Sequence, residues 1–361
     1  MSGPNAEKIL IKGNEAIAEA AIRAGCTAYF GYPITPQNEL IAYMAEHMLD
    51  LGRVFIQAES EVAAINMVYG AASTGARAMT SSSSPGVSLK QEGISYAAGA
   101  DMPLVFVNIM RGGPGLGSIA PAQGDYFQST RGGGHGDYRV IVLAPNSVQE
   151  CADLTYLAFD LADKWRMPVL VLGDGVIGQM MEGIVLPPKK ELSELPDNSA
   201  WAVGGMAKTG RPARHLSSIN LVPANLEAQV FARFEKYKKI AAEEVLFENV
   251  SCDDADIVIV AYGTSARVSL GAVEMARKAG LKVGLFRPIS LFPFPDAALT
   301  AIAKRGVPLL TAEMSMGQMA QDVRLAVRDT VPVHLLAHTG GVIPSEEEVY
   351  AECKKILGGK K

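Results

Sequence analysis

The sequence predicts an α/β protein in two units, a parallel sheet with helices on both faces followed by a smaller α/β domain. Three observations predict it. Short β-rich apolar runs alternate with helical stretches from residue 13 to about 185, the pattern of β-α units wound around a parallel sheet. The same alternation resumes near residue 250, after a stretch rich in Pro, Lys, Glu and Ser. A length of 361 residues, 48% hydrophobic and 20% charged, supplies apolar surface for more than one core.

In the first unit the strands are expected at residues 28–31, 54–57, 76–80, 104–109, 139–143 and 169–172, with helices at 14–24, 36–49, 62–72 and 152–164. The helix at 36–49 puts Leu40, Met44 and Met48 on one face and turns Glu39 and Glu46 to water. The helix at 62–72 is apolar almost all round and reads as buried. Residues 186–249 read as a linker that ends in a charged helical run at 226–248. Strands at 257–262, 283–286, 308–311 and 333–336 build the second unit. The expected division is therefore 1–185, 186–249 and 250–361.

Composition narrows the function. With 33 basic against 38 acidic residues and a net charge of -5, the chain lacks the basic excess of a nucleic-acid or anionic-membrane binder. Cys26, Cys151, Cys252 and Cys353 stand singly, without the paired spacing that holds zinc, a redox dithiol or an iron–sulfur cluster. Residues 1–12 show no leader-like apolar core, and no apolar run approaches a membrane span. A cytoplasmic protein with reduced thiols is expected.

Ligands of parallel sheets gather where the strands end, so the turns after the strands are the first place to look. After the first strand comes Tyr32-Pro33-Ile34-Thr35-Pro36, with Thr35 as a candidate N-cap and Pro36 at the first helical position. A plain helix start accounts for the Thr-Pro pair, but two prolines in five residues describe a rigid loop. After the second strand, Gln57-Ala58-Glu59-Ser60-Glu61 leads into the apolar helix. Acids favour first helical turns for dipole reasons alone, so Glu61 needs context. After the third, Ser81 to Ser84 and Pro85-Gly86 form a hydroxyl-rich loop with apolar segments on both sides. After the fourth, Arg111 precedes Gly112-Gly113-Pro114-Gly115-Leu116-Gly117. That arginine either pairs with a carboxylate or satisfies an inner-loop carbonyl.

Together the Y-P-I-T-P turn, the Q-x-E-S-E-x-A-A junction, the T-S-S-S-S-P-G loop, the R-G-G-P loop and Gly132-Gly133-Gly134-His135-Gly136-Asp137 resemble the α subunit of 2-oxoacid:ferredoxin oxidoreductases. The match runs in order over nearly the whole chain, which makes it specific although each piece alone is weak. The resemblance implies the pyrimidine-binding domain of the thiamine-diphosphate-binding fold, followed by a domain like the C-terminal domain of transketolase. It implies that Glu61 hydrogen-bonds the aminopyrimidine ring of thiamine diphosphate, where a carboxylate at the far ring nitrogen favours the tautomer that can deprotonate the thiazolium carbon. Thr35 and Arg111 fall at family positions beside cofactor and substrate carboxylate. Tyr32, Pro33, Ile34 and Ser84 join them as expected cofactor contacts, and Glu61, Thr35 and Arg111 as the catalytic set. His135 and Asp137 read as structural or interface residues.

The resemblance further implies a β subunit carrying the thiamine-pyrophosphate domain and the magnesium site, a γ subunit, a ferredoxin-like iron–sulfur subunit, ferredoxin as electron acceptor and coenzyme A as cosubstrate, in a hetero-oligomer with two-fold symmetry. No metal site is expected on this chain. Gly173-Asp174-Gly175 imitates the opening of a magnesium motif, with Asn198 downstream, but a Pro-, Lys- and Glu-rich stretch replaces the β-α unit that would return the asparagine. Gly113 to Gly117 is no dinucleotide fingerprint, since Pro114 interrupts it. In the second unit Thr264, Arg287 and Glu313 follow strands, and packing is the safer reading of each.

Pro114-Gly115-Leu116-Gly117 departs from the P-S-T-G of members acting on 2-oxoglutarate and favours 3-methyl-2-oxobutanoate (2-ketoisovalerate) as substrate. A 2-oxoglutarate enzyme is the alternative, with an aromatic 2-oxoacid third. From another class, a non-redox thiamine-dependent decarboxylase or transketolase-like subunit stays open, as does a non-catalytic paralogue.

Overall fold

The computed structural model describes residues 7–204, 210 and 213–358. The N-terminal reading therefore falls outside it at residues 1–6. The first half of the chain runs β1 (Ile9–Lys12), α1 (Gly13–Arg23), β2 (Ala28–Gly31), α2 (Asn38–Asp50), β3 (Val54–Gln57), α3 (Glu61–Ser73), β4 (Ala78–Ser82), α4 (Pro85–Gly99), β5 (Leu104–Met110), α5 (Tyr126–Arg131), β6 (Ile141–Leu143), α6 (Val148–Trp165), β7 (Pro168–Asp174), α7 (Gly175–Gln179) and β8 (Met181–Ile184). The second half adds α8 (Pro223–Glu243), β9 (Phe247–Val250), β10 (Ile257–Val260), α9 (Gly263–Lys278), β11 (Val283–Pro288), β12 (Ser290–Phe292), α10 (Asp296–Ala303), β13 (Leu309–Glu313), α11 (Gln318–Val327), β14 (Val333–Ala337) and α12 (Glu346–Gly358).

Seven strands form one sheet in the order β12-β6-β7-β5-β4-β2-β3, parallel except where β12 meets β6. Five form a second in the order β14-β13-β10-β11-β9, parallel except for β9. The central strands β5 and β7 are buried throughout, as a sheet covered on both faces requires. On one face Ala20, Met44 and Phe159 of α1, α2 and α6 share a core. On the other, Ile65 and Ile94 of α3 and α4 pack in a core that continues through Tyr126 and Tyr262 into Met319 of α11. The second sheet is thereby welded to the first.

Several expectations need correction. Thr35 does not cap α2: the helix starts at Asn38 with Gln37 in the cap position, because the Gln37 side chain is drawn inward onto Ser81. Leu40, Met44 and Met48 are buried as expected, but Glu39 is only partly exposed and is held by Lys12, Asn14 and Gln179. The strand expected at 76–80 lies two residues later, since Ser81 and Ser82 pair with Val107 and Asn108 in the ladder and leave no backbone group unsatisfied. The expected strand at 139–143 shortens to β6, and the run at 226–248 is α8 followed by β9. Nor is α3 buried all round: Val62, Asn66 and Gly70 face outward.

Candidate active site

Because β2 to β5 are parallel, the turns after them meet at one edge of the sheet. After β3, the Ser60 hydroxyl accepts the Ala63 N–H at 3.1 Å, an N-cap that fixes Glu61 in the first turn of α3. Glu61 is 6% exposed, yet among the described residues no donor serves its carboxylate. A buried acceptor without a donor is an unspent group. Gly86 opens α4 directly against it: a Cβ there would stand 2.6 Å from Glu61 Oε1 and would also strike Ser82 Oγ, so only glycine permits the approach. Ser82 Oγ and Ser83 Oγ are buried and likewise have no partner among the described residues.

Lys90 lies one turn beyond Gly86 and is 1% exposed. Its ammonium donates to Thr80 Oγ1 at 2.6 Å. Burial pushes its pKa down to about 7, and the charge of Glu61 opposes that shift. The pocket around Glu61 thus contains one acid, one lysine and two unpaired hydroxyls.

Ser84 begins the next layer. Its backbone sits at φ 28 and ψ -85, a conformation that costs a non-glycine residue about 1–3 kcal/mol. Three bonds hold it there. Its N–H donates to Asn108 Oδ1 at 2.9 Å, its hydroxyl donates to Asp125 Oδ2 at 2.5 Å, and its oxygen accepts the Arg111 N–H at 3.0 Å. Asn108 also donates to Asp125 at 2.9 Å. Burial raises the Asp125 pKa, and the bonds from Ser84 and Asn108 oppose it.

Arg111 joins this layer to the loop after β2. Its Nη1 donates to the Thr35 carbonyl at 3.0 Å and its Nη2 to the Leu116 carbonyl at 3.1 Å. Both loop carbonyls are thus satisfied, as the structural alternative for this arginine required, while its Nε stays buried without a partner among the described residues. A relay from Tyr29 through Ser81, at 2.6 Å per bond, reaches the buried Gln37 side chain, which donates to the Tyr32 carbonyl at 3.3 Å. Tyr32 and Pro33 are exposed on the rim, with Ile34 and Thr35 behind them.

The fold therefore brings Thr35, Ser84 and Arg111 into one bonded cluster and sets Glu61 against Ser82 and Gly86 beside it. Sequence reasoning missed Lys90, Asn108, Asp125 and Gln37. Lys90 alone left a signal, since it stands four residues after Gly86 and so shares its helical face. Asp174 and Asn198 serve separate structural purposes. Asp174 caps α7 and accepts from the Thr264 hydroxyl at 2.6 Å, whereas Asn198 donates to the Gly75 carbonyl at 3.0 Å.

Buried hydroxyls without partners, an open carboxylate and a glycine that a Cβ would jam form a cradle that fits an aminopyrimidine ring. Residues 19–244 match the family described as pyruvate flavodoxin/ferredoxin oxidoreductase, thiamine diphosphate-binding, and residues 255–349 match the pyruvate:ferredoxin oxidoreductase core domain II. The ketoisovalerate oxidoreductase subunit VorB of Methanothermobacter thermautotrophicus is 50% identical over 97% of this chain and 98% of its own length. The 2-oxoglutarate synthase subunit KorA of Archaeoglobus fulgidus is 39% identical over 88% of this chain and 91% of its own. Among solved structures, the 2-oxoglutarate:ferredoxin oxidoreductase of Magnetococcus marinus, with 2-oxoglutarate, coenzyme A and succinyl-CoA bound, superposes at a TM-score of 0.87 and 27% identity. That match covers 97% of this chain but 65% of the longer neighbour. A split-gene transketolase shares the fold at a TM-score of 0.61 and 14% identity.

Proposed function

The chain belongs to the pyruvate flavodoxin/ferredoxin oxidoreductase family, and from that premise we propose that it is the subunit holding the pyrimidine half of a thiamine-diphosphate site in a 2-oxoacid:ferredoxin oxidoreductase. The complex oxidatively decarboxylates 3-methyl-2-oxobutanoate to an acyl-coenzyme A and carbon dioxide while ferredoxin takes the electrons. The observation that carries this reading is Glu61, buried at the start of α3 with no donor among the described residues and faced by Gly86. The substrate follows from the 50% identity to a ketoisovalerate subunit against 39% to the 2-oxoglutarate subunit. Those same 2-oxoglutarate relatives make 2-oxoglutarate the second reading.

When bound, thiamine diphosphate supplies the carbon nucleophile that adds to the keto group and accepts the electron pair left as carbon dioxide departs. The chain's share is orientation and polarisation. Glu61 holds a proton at the pyrimidine ring, Ser82 and Ser83 offer hydroxyls to its polar edge, and Gly86 lets the ring come close. Thr35, with Tyr32, Pro33 and Ile34, forms a wall that keeps water from the reacting carbon. Arg111, fixed by two loop carbonyls, keeps its remaining N–H groups for a substrate carboxylate, and Ser84 holds the arginine's backbone.

Partner subunits complete the site. Val62, Leu89, Tyr96, Leu116 and Ile119 are exposed on the elements around Glu61 and Arg111, an apolar rim suited to a protein interface. A β subunit docking there would bring magnesium and the diphosphate grip. The four cysteines are buried and unpaired, which supports assigning the iron–sulfur clusters to another subunit. The division at residues 185 and 250 belongs to the same proposal; the boundary near 250 is supported by family matches that stop at 244 and restart at 255, whereas the first match runs through residue 185 without a break. No helix among the described residues is long and apolar enough to cross a membrane, which accords with a cytoplasmic complex.

The test is reconstitution with the partner subunits, followed by ferredoxin reduction against a panel of 2-oxoacids with coenzyme A. Preference for 3-methyl-2-oxobutanoate is expected. Reduction with 2-oxoglutarate alone would replace the substrate assignment, and 2-oxoacid turnover without electron transfer would replace the oxidoreductase with a non-redox decarboxylase.

A further inference from the structure

At the opposite edge of the seven-stranded sheet, where the chain enters β5 and β7, a cavity of ≈ 610 Å³ lies between the ends of α4 and α6 and the side of α8. Its volume falls in the range of small-molecule sites. Arg166, Arg233, Lys236 and Lys239 line it. Against them stands Asp101, which binds Lys236 at 2.7 Å and lies 3.8 Å from Arg233. The other lining acid, Glu235, is paired with Lys238, and Lys164 is taken by Glu243 and Glu244. Four cations thus face one available carboxylate, in a chain whose net charge is -5.

Structural duties account for part of this excess. The C-terminal ends of α4 and α6 attract cations, and Arg233 donates to the Gly99 carbonyl at 2.8 Å while Lys236 donates to the Arg166 carbonyl at 3.2 Å. Those contacts leave Lys239 without a hydrogen-bond or ion-pair partner among the described residues and the guanidinium of Arg166 stacked over Trp201 at 4.4 Å. Arg166 Nε and Arg233 Nε are buried with no acceptor among the described residues. Burial lowers the pKa of Arg166 and of Lys236, Asp101 opposes both shifts, and Arg233 and Arg166 add to the lowering at Lys236.

We propose that this cavity binds a phosphate-bearing small molecule, gripped by Arg166, Arg233, Lys236 and Lys239. Guanidinium forks match pairs of phosphate oxygens. A recess with a buried arginine at its wall suits a compact anion better than an extended acidic peptide. The site lies across the sheet from Glu61 and needs no part of the thiamine-diphosphate assignment.

The complex, loaded with thiamine diphosphate and magnesium and then freed of the unbound excess of both, is titrated calorimetrically with inorganic pyrophosphate. One saturable site per copy of this chain is expected. Arg166→Gln should weaken binding about tenfold, and Lys239→Gln, at an exposed position that leaves folding intact, about threefold or more. Turnover on 2-oxoacids should be unchanged in both variants. Absence of saturable binding in the wild type, or equal affinity in wild type and both variants, would overturn the proposal. So would poly-glutamate outcompeting pyrophosphate at the site.

Discussion

Two glutamates, Glu61 and Glu313, are both buried at carboxyl-edge turns of parallel sheets, yet they are treated in opposite ways. Glu313 ends β13 and accepts from the Ser315 hydroxyl at 2.5 Å and from the Met319 and Ala320 N–H groups at 3.1 and 3.0 Å. Glu61 accepts nothing among the described residues and has Gly86, Ser82 and Lys90 for neighbours. One carboxylate spends its bonds on the fold; the other keeps them for something the chain does not contain. The second sheet repeats the lesson at Arg287, which binds Glu150 at 2.9 and 2.6 Å and Glu248 at 2.8 Å. The first has, among the described residues, unpaired hydroxyls at Ser82 and Ser83 and an unpaired Nε on Arg111. Thr264 and Glu313, read from the sequence as packing residues, are consumed by internal bonds.

The largest effect should come from Glu61→Gln, with turnover of the reconstituted complex falling about 100-fold or more at an unchanged melting temperature. Near-normal turnover would erase the contrast. Next, Arg111→Met should raise the KM for the 2-oxoacid about tenfold or more, and a variant that loses kcat alone would move the arginine out of substrate binding. Glu313→Gln should do the reverse of Glu61→Gln, costing about 1–3 kcal/mol of stability with turnover per folded complex retained; thermal denaturation and a specific-activity assay separate the two.

The smallest effect concerns Lys90. Burial pushes its pKa from 10.5 to about 7, so between those values the unfolded lysine holds a proton that the folded one has released. Stability from this group therefore rises with pH across that window. Relative to Lys90→Met, the wild type should gain in melting temperature from about pH 7 to pH 10. A difference constant over that range would mean that Lys90 keeps its charge throughout. Because Glu61 raises the Lys90 pKa, the Glu61→Gln variant should begin its gain at lower pH.

Much of the molecule was legible in the sequence. Parallel strands buried on both faces leave nearly continuous apolar runs, and β2, β3, β5 and β10 fell close to their expected places. Strand ends carry ligands, which made Thr35, Glu61, Ser84 and Arg111 readable as a set. The misses share a cause. Ser81 and Ser82 look like loop residues because their hydroxyls are polar, whereas the ladder asks only for their backbone. Thr35-Pro36 looks like a helix start because local chemistry cannot register the pull of Ser81 on Gln37.

The sequence by itself determined the alternation of strands and helices, the single spacing of the cysteines, and the motif order that marks its family. Only the tertiary structure decided which buried polar groups are spent. Hydrogen-bond satisfaction depends on atoms brought together from distant positions, as Ser84, Asn108, Arg111 and Asp125 are. Residue type fixes how many bonds a side chain can make, and the fold fixes how many remain.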